Sequence, residues 1–188
     1  MRLKPLFATL LAAAFAMPAS ALELAADGQW QTFDVDDLLS TNGGLGWIDL
    51  DGSPLEFSFT LTGAAVLRVV DAGFGGDRFS IVNQAGLSPV VLGETSTVAT
   101  PDVATATTVV DFDLAFSDHD TFSFAEFALA PGSYAITGML TQSAIFDGSP
   151  INATLGGIQL TAVPLPASGL LLLGASGLFG AVTRRRCV

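Results

Sequence analysis

Cysteine and histidine are almost absent from this sequence, which has one residue of each among 188. The single cysteine is Cys187, so no intramolecular disulfide can form. Structural zinc sites use several Cys and His ligands, and the same scarcity therefore excludes a zinc site of the usual kind. With hydrophobic residues at 50% of the chain, an apolar core must supply the stability instead.

Basic residues are also scarce, with 7 Lys and Arg against 18 Asp and Glu. Five of the basic residues lie close to the two ends of the sequence: Arg2, Lys4, Arg184, Arg185 and Arg186. Residues 22–162 retain two basic and all 18 acidic residues, which gives this segment a net charge of −16. Because such a surface repels nucleic-acid phosphates, we expect no nucleic-acid partner.

The first 21 residues have the three parts of a secretory signal peptide in the usual order. Arg2 and Lys4 are followed by an apolar run from Leu6 to Met17 and then by the small residues Ala19 and Ala21. We expect signal peptidase to cleave after Ala21, so that the exported chain begins at Leu22. The alternative is a short N-terminal helix that is retained.

Residues 22–162 predict an all-β domain, an antiparallel β-sandwich of jelly-roll-like arrangement. The segments "LEFSFTLT" (55–62) and "VVDFDLAF" (109–116) alternate apolar and polar residues, as half-buried strands do. The run "AAVLRVVD" (64–71) is almost continuously apolar, which indicates a more deeply buried strand. Further strands are predicted at "WQTFDV", "DRFSIV", "GSYAITG" and "TLGGIQLTA", with Gly- and Pro-rich turns between them. A turn of helix is an alternative at "DVDDLLS" (34–40).

No group of residues in the sequence forms an evident catalytic set, so we expect a protein that is not an enzyme. His119 lies between Asp118 and Asp120. A Ser-His-Asp triad needs its three groups to converge in space, and adjacent residues on a strand point to opposite faces. The competing interpretation of His119 is a solvated loop residue.

Calcium is the only cofactor that the composition suggests, because it is bound by six to eight oxygen atoms and the chain is rich in carboxylates. The segment "DLDGSPLE" (49–56) is similar to a calcium loop, with Asp49 and Asp51 as the leading ligands. Gly52 comes too early for an EF-hand, however, and Thr60 stands where that loop has Glu. A solvated acidic face is the alternative.

Three aromatic residues, Trp30, Trp47 and Tyr134, suggest a second alternative, a carbohydrate-binding module. Aromatic faces can stack on sugar rings. Core packing is the competing interpretation, since aromatic side chains dominate the cores of such domains.

The last 26 residues, "VPLPASGLLLLGASGLFGAVTRRRCV", combine a Pro-containing motif, an apolar run and a basic end. The run from Ser168 to Val182 has fifteen residues and would span about 22 Å as a helix. A membrane-spanning helix needs about 20 apolar residues, so we expect a single, marginal and transient helix in the inner membrane. The arginines Arg184, Arg185 and Arg186 would keep its end on the cytoplasmic side.

This tail resembles the PEP-CTERM class of surface-sorting signals, in its VPLPA-CTERM variant. The motif residues are Val163, Pro164, Leu165, Pro166 and Ala167. The resemblance covers about 25 residues and implies a Gram-negative exported protein whose tail is recognised by an exosortase, a membrane-embedded cysteine protease. The segment "LPASG" (165–169) also resembles the LPxTG signal of Gram-positive sortases, but it has Ser in place of Thr.

Together these features predict a signal peptide at 1–21, an acidic ectodomain at 22–162 and a sorting signal at 163–188. The first function hypothesis is a non-enzymatic cell-surface or matrix protein associated with exopolysaccharide or biofilm. The second is a secreted carbohydrate-binding module or a hydrolase that acts on extracellular polysaccharide.

Overall fold

The computed structural model describes residues 20–164, which form a β-sandwich of two sheets with one short helix on its outer surface. The first sheet has the order β1 (Ser20–Glu23), β3 (Leu55–Leu61), β9 (Gly132–Gln142), β5 (Arg78–Asn83) and β6 (Val90–Glu94). The second has the order β2 (Asp27–Asp36), β12 (Ala153–Ala162) and β4 (Ala65–Phe74), with β7 (Thr108–Val109) and β8 (Phe124–Leu129) on the other edge of β4. The remaining elements are α1 (Phe112–Ser117) and a small hairpin of β10 (Ile145–Phe146) and β11 (Ser149–Pro150).

The strand pairing is antiparallel throughout both sheets except at β1, which pairs with β3 in parallel. The predicted all-β sandwich is therefore confirmed, with one parallel pair that the sequence did not reveal. The predicted signal peptide up to residue 19 and the predicted sorting helix lie outside the described residues.

The main core lies between the two sheets and is rich in aromatic side chains. Trp47 stacks on Phe33 with 3.9 Å between ring centroids, and the edge of Phe79 meets Phe33 at 5.1 Å. The alternation predicted for β3 is confirmed, because Leu55, Phe57, Phe59 and Leu61 are all buried while the residues between them are not.

Strand β4 is buried on both faces, as its apolar run predicts. Val69 belongs to the core between the sheets, whereas Val70 lies in a second apolar cluster on the outer face of its sheet. That second cluster is covered by α1 and includes Ala115 and Phe122.

The prediction of a strand over residues 109–116 was wrong beyond Val109, where β7 ends, and from Phe112 the chain forms α1 instead. Asp111 caps the helix because its carboxylate accepts hydrogen bonds from the backbone N–H groups of Asp113 and Leu114 at 3.0 and 3.1 Å. Phe112 and Phe116 are four residues apart, so the helix places both on one side, where each contacts the Trp30 ring at 5.8 Å. The expected strand face of Val110, Phe112, Leu114 and Phe116 does not exist, and Val110 and Leu114 are exposed.

The alternative of a helical turn at residues 34–40 is realised only as an isolated turn after β2. Ser40 N–H donates to the carbonyl of Asp36 at 3.0 Å, and the Asp36 carboxylate accepts from the N–H groups of Leu38 and Leu39.

Candidate functional site

The two ends of the sandwich differ sharply in charge. We call the end where β12 finishes the tail end; its turns are residues 24–26, 62–64, 84–89 and 130–131. None of these turns contains a charged residue, and the adjoining strand ends carry two carboxylates, Glu23 and Asp27. We call the opposite end the acidic end. Its loops and adjoining strand ends hold half of the 18 carboxylates: Asp34, Asp36, Asp37, Asp49, Asp51, Asp71, Asp77, Asp102 and Asp147.

The predicted sorting motif begins at the tail end with no linker. Strand β12 is held between β2 and β4 and ends at Ala162, and the next residue, Val163, donates its N–H to the carbonyl of Ala64 at 2.9 Å. Val163 and Pro164 are both exposed. The motif therefore leaves the fold directly from a central strand.

The rest of the predicted processing machinery lies outside the described residues. This applies to Ala19 of the signal-cleavage site, to Leu165, Pro166 and Ala167 of the motif, and to Arg184, Arg185 and Arg186. Ala21 lies on β1 opposite Glu56 and is exposed. Within residues 20–164, no helix is long and apolar enough to cross a membrane.

The calcium candidates Asp49 and Asp51 lie in a tight turn at the acidic end. The Asp49 carboxylate accepts from the N–H of Leu50 at 2.7 Å, and that of Asp51 accepts from the N–H of Ser53 at 2.9 Å. Hydrogen bonds from Ser53 hold the pKa of Asp51 below its ordinary value. Each carboxylate thus has a partner within the turn, and calcium binding here stays a prediction.

A cleft of about 280 Å³ separates this turn from β2 and is lined by Asp34, Asp49 and Leu50, among others. Burial raises the pKa of Asp34, and the carboxylates of Asp49 and Asp36 raise it further. The cleft is therefore electronegative and suited to cations rather than to anionic ligands.

His119 follows α1 and is exposed. Its ring stacks on Phe124 with 3.7 Å between centroids and meets the edge of Phe116 at 5.8 Å. These aromatic contacts, rather than a hydrogen bond to a serine or an aspartate, fix its position. The arrangement supports packing for His119 and gives it no nucleophile to activate.

The three aromatic residues considered for sugar stacking are engaged in packing. Trp47 is 2% exposed and belongs to the core. Trp30 packs against α1 and donates its indole N–H to the Asp113 carboxylate at 2.7 Å. Tyr134 stacks on Phe59 at 5.2 Å and donates its hydroxyl to the carbonyl of Ala130, although it also lines an open cleft of about 480 Å³ with Ser58, Thr60 and Ser133.

The structure also brings together two buried aspartates that the sequence did not single out. Asp71 is 0% and Asp77 1% exposed, and the Asp71 carboxylate accepts from the N–H groups of Gly76 and Asp77 at 3.1 Å. In the sequence they are the first and last residues of "DAGFGGD", a Gly-rich segment of a kind that is typical of solvated loops. The turn between β4 and β5 makes them neighbours, and the sequence shows their spacing of six residues but not their burial.

No protein-family model and no curated protein matches this sequence. Among solved structures, the pre-peptidase C-terminal domain of a collagenase from Bacillus anthracis is similar with a TM-score of 0.39 and 10% identity, over 78% of this chain and 99% of that one. The C-terminal CBM6 of LamC, a marine laminarinase from Zobellia galactanivorans, has a TM-score of 0.32 and 15% identity, over 71% and 99%. A β-1,3-glucan-binding CBM6 from Bacillus halodurans has a TM-score of 0.32 and 18% identity, over 74% and 91%.

Proposed function

We propose that this chain is an exported, non-enzymatic surface or matrix protein, whose C-terminal motif at 163–167 is read by an exosortase-type enzyme while the tail is held in the membrane. The acidic sandwich is then delivered to the cell surface or to its polysaccharide layer, and the apolar run and arginines are discarded. The observation that carries the proposal is the charge difference between the two ends of the sandwich.

The path of the chain supports this proposal because the motif follows the last strand of the sandwich without a linker. Val163 is fixed to Ala64 by a backbone hydrogen bond, and the apolar run begins only five residues later, at Ser168. Pro164 and Pro166 favour extended backbone around the motif, which is the conformation that a protease cleft accepts. With so short a connection, a tail held in the membrane would bring the tail end of the sandwich to the bilayer.

The charge distribution fits that orientation. An anionic membrane surface repels carboxylates, and the repulsion decays over about 8–10 Å at physiological ionic strength. Ten-residue strands such as β4 and β12 are about 33 Å long, so the loops of the acidic end lie well beyond this range. At the near end, the turns are uncharged and Leu87 is fully exposed, and only Glu23 and Asp27 bring carboxylates to the adjoining strand ends, against nine at the acidic end. A domain facing the other way would press its carboxylates against the membrane.

Intact-mass analysis of the protein recovered from its own cell surface tests the proposal. We expect a chain that begins at Leu22 and lacks the apolar run, and in cells without the sorting enzyme we expect a chain that retains residues up to Val188. Replacement of both Pro164 and Pro166 by Ala should leave export intact but cause the uncleaved form to accumulate. A mature surface protein that still carries Cys187 would overturn the discarded-tail mechanism.

A matched pair of substitutions tests the orientation itself. Leu87→Glu places a charge at the tail end, whereas Leu50→Glu places the same charge at the acidic end, where the native leucine is 84% exposed. Neither side chain is buried, so both variants should fold normally. We expect slower tail processing in Leu87→Glu alone, measured by pulse-chase in cells. Equal processing rates would show that the tail end does not approach the membrane.

A further inference from the structure

The buried pair Asp71 and Asp77 lacks a compensating positive charge. Among the described residues the basic side chains are Arg68 and Arg78, and both are engaged elsewhere. Arg68 pairs with Glu126 at 2.7 Å, and Arg78 pairs with Glu94 at 2.9 Å and donates to the carbonyl of Thr95. Two carboxylates buried between sheets without a counter-charge are strongly disfavoured in ionised form.

Three oxygen atoms around this pair have no hydrogen-bond partner although they are buried: Asp71 Oδ1, Asp77 Oδ2 and Thr154 Oγ1. Buried polar atoms nearly always have partners, so three orphans in one place indicate a missing ligand. The other carboxylate oxygens are already satisfied, since Asp71 Oδ2 accepts from Gly76 and Asp77, and Asp77 Oδ1 accepts from the Ala144 N–H at 2.7 Å.

The strand register explains why these three oxygens converge. Asp71 pairs with Gly156 in the β4–β12 ladder, and Thr154 lies two residues before Gly156 on β12, so the Asp71 and Thr154 side chains share the face that points to the other sheet. Asp77 directly precedes β5 in that opposite sheet, two residues before the buried Phe79. The Thr154 and Ser143 hydroxyls also face Asp77 closely enough to offset part of the rise in its pKa that burial causes.

We propose that Asp71 and Asp77 bind a calcium ion together with the Thr154 hydroxyl, between the two sheets at the acidic end. The described residues contain no group of three or more Cys, His, Asp or Glu suited to a metal, so the remaining ligands are hydroxyl, carbonyl or water oxygens. Calcium accepts such irregular sets of oxygen atoms, whereas magnesium demands near-octahedral geometry and keeps its waters. This site is distinct from the turn of Asp49 and Asp51, and it does not depend on tail processing.

A shared proton is the rival explanation, because it removes one negative charge and satisfies one oxygen. It leaves the second carboxylate ionised and buried without a counter-charge, however, even when the Thr154 hydroxyl donates to Asp77. A divalent cation neutralises both carboxylates and gives all three orphan oxygens a ligand bond.

Thermal unfolding of the full chain in a mild detergent, followed by tryptophan fluorescence, tests the proposal. Calcium at a hundred times its Kd should raise the Tm by about 8 °C at constant ionic strength, and magnesium should raise it much less. The matched control is the double variant Asp49→Asn and Asp51→Asn, which should respond to calcium like the native chain. Asp71→Asn should abolish the response.

Thr154→Val keeps both carboxylates and provides a second test if Asp71→Asn fails to fold. Valine matches the volume of threonine but lacks its hydroxyl. We therefore expect isothermal titration to show a calcium Kd raised about tenfold in this variant. An unchanged Kd in Thr154→Val overturns the site. If the native chain shows no calcium response at neutral pH, the shared proton is favoured and the proposal is overturned. If the Asp49 and Asp51 control variant loses the response, calcium binds in the exposed turn, and the proposal is overturned as well.

Discussion

Replacement of Gly138 by Ala should destabilise the sandwich strongly, because Gly138 lies directly against the Trp47 ring. A Cβ atom at this position would overlap Cε2 and Cζ2 of Trp47. The ring cannot move aside, since it stacks on Phe33 at 3.9 Å and meets the edges of Phe57 and Phe79 at 6.2 and 6.4 Å. Overpacking of a rigid core costs about 1–3 kcal/mol of stability. Because the Trp47 ring has no space to shift into, we expect Gly138→Ala to cost about 3 kcal/mol.

The loss should appear as a Tm lower by about 9 °C, with a matching fall in the free energy of unfolding from urea denaturation. Gly63→Ala is the matched control. A Cβ there meets no atom within 4 Å, and the backbone does not have a positive φ. Its effect should therefore stay within about 0.5 kcal/mol of zero.

A double-mutant cycle with Trp47→Leu assigns the penalty to the ring. The shorter side chain leaves room for a methyl group, so Gly138→Ala should cost almost nothing in that background, which gives a coupling energy of about 3 kcal/mol. If Gly138→Ala leaves stability unchanged, or costs the same with and without the ring, the packing argument is wrong.

Three further predictions concern the core, the helix cap and pH. Phe57→Asp should destabilise the domain by about 3 kcal/mol or more, because Phe57 is 0% exposed and the change buries an unpaired charge. Thr60→Asp on the exposed face of the same strand should change the Tm little. Equal effects of the two substitutions would mean that the buried face of β3 has been assigned wrongly. Asp111→Ala should cost about 1 kcal/mol in urea denaturation through loss of the α1 cap, and an unchanged midpoint would show that packing alone holds the helix. Since the pKa of Asp34 is raised by burial, its stabilising contribution is present below the ordinary value of 3.8 and is lost as pH rises through the raised pKa. Asp34→Asn should therefore flatten the decline of Tm above pH 4 in chelator-treated protein, whereas Asp120→Asn on the surface should not.

The strands could be predicted where one local pattern determined the result. Alternation in β3 and the continuous apolar run of β4 were sufficient, because the first strand has one solvated face and the second has apolar clusters on both faces. The Gly-Gly pair in "TLGGIQLTA" was included in a predicted strand, but the sequence did not show why this strand needs two residues without side chains. Gly156 leaves room for Phe33 on one face, and Gly157 leaves room for Phe112 on the other.

Helix α1 shows where the local pattern misleads. Apolar residues at 110, 112, 114 and 116 fit a strand, but Phe112 and Phe116 alone also fit one face of a helix. The Asp111 cap and the packing surface of Trp30, 82 residues earlier in the sequence than Phe112, decide between the two. That surface exists only after β2 and β12 have paired, so no window of sequence contains it.

The difference in charge between the two ends of the sandwich was partly predictable. The excess of acid was plain from composition, but its concentration at one end depends on which loops the topology brings together. The buried Asp71 and Asp77 pair required the facing of β4 and β5, which lie in different sheets. Sequence reasoning placed calcium at Asp49 and Asp51 because closely spaced acids resemble a calcium loop, whereas the burial of Asp71 and Asp77 on either side of a Gly-rich turn has no signature in the sequence.

The position of β12 has a consequence for the order of events during synthesis. This strand is the last one among residues 20–164 but lies between β2 and β4, which do not pair with each other. Because a chain emerges N-terminus first, β2 and β4 keep open edges until residues 153–162 have appeared, and open edges invite aggregation. Closure of the second sheet must therefore wait for the final strand, so an incomplete chain remains a substrate for chaperones and proteases. Once β12 inserts, Val163 is held at Ala64 by a backbone hydrogen bond, so under the proposed processing the folding domain would pull on a tail that is still held in the membrane.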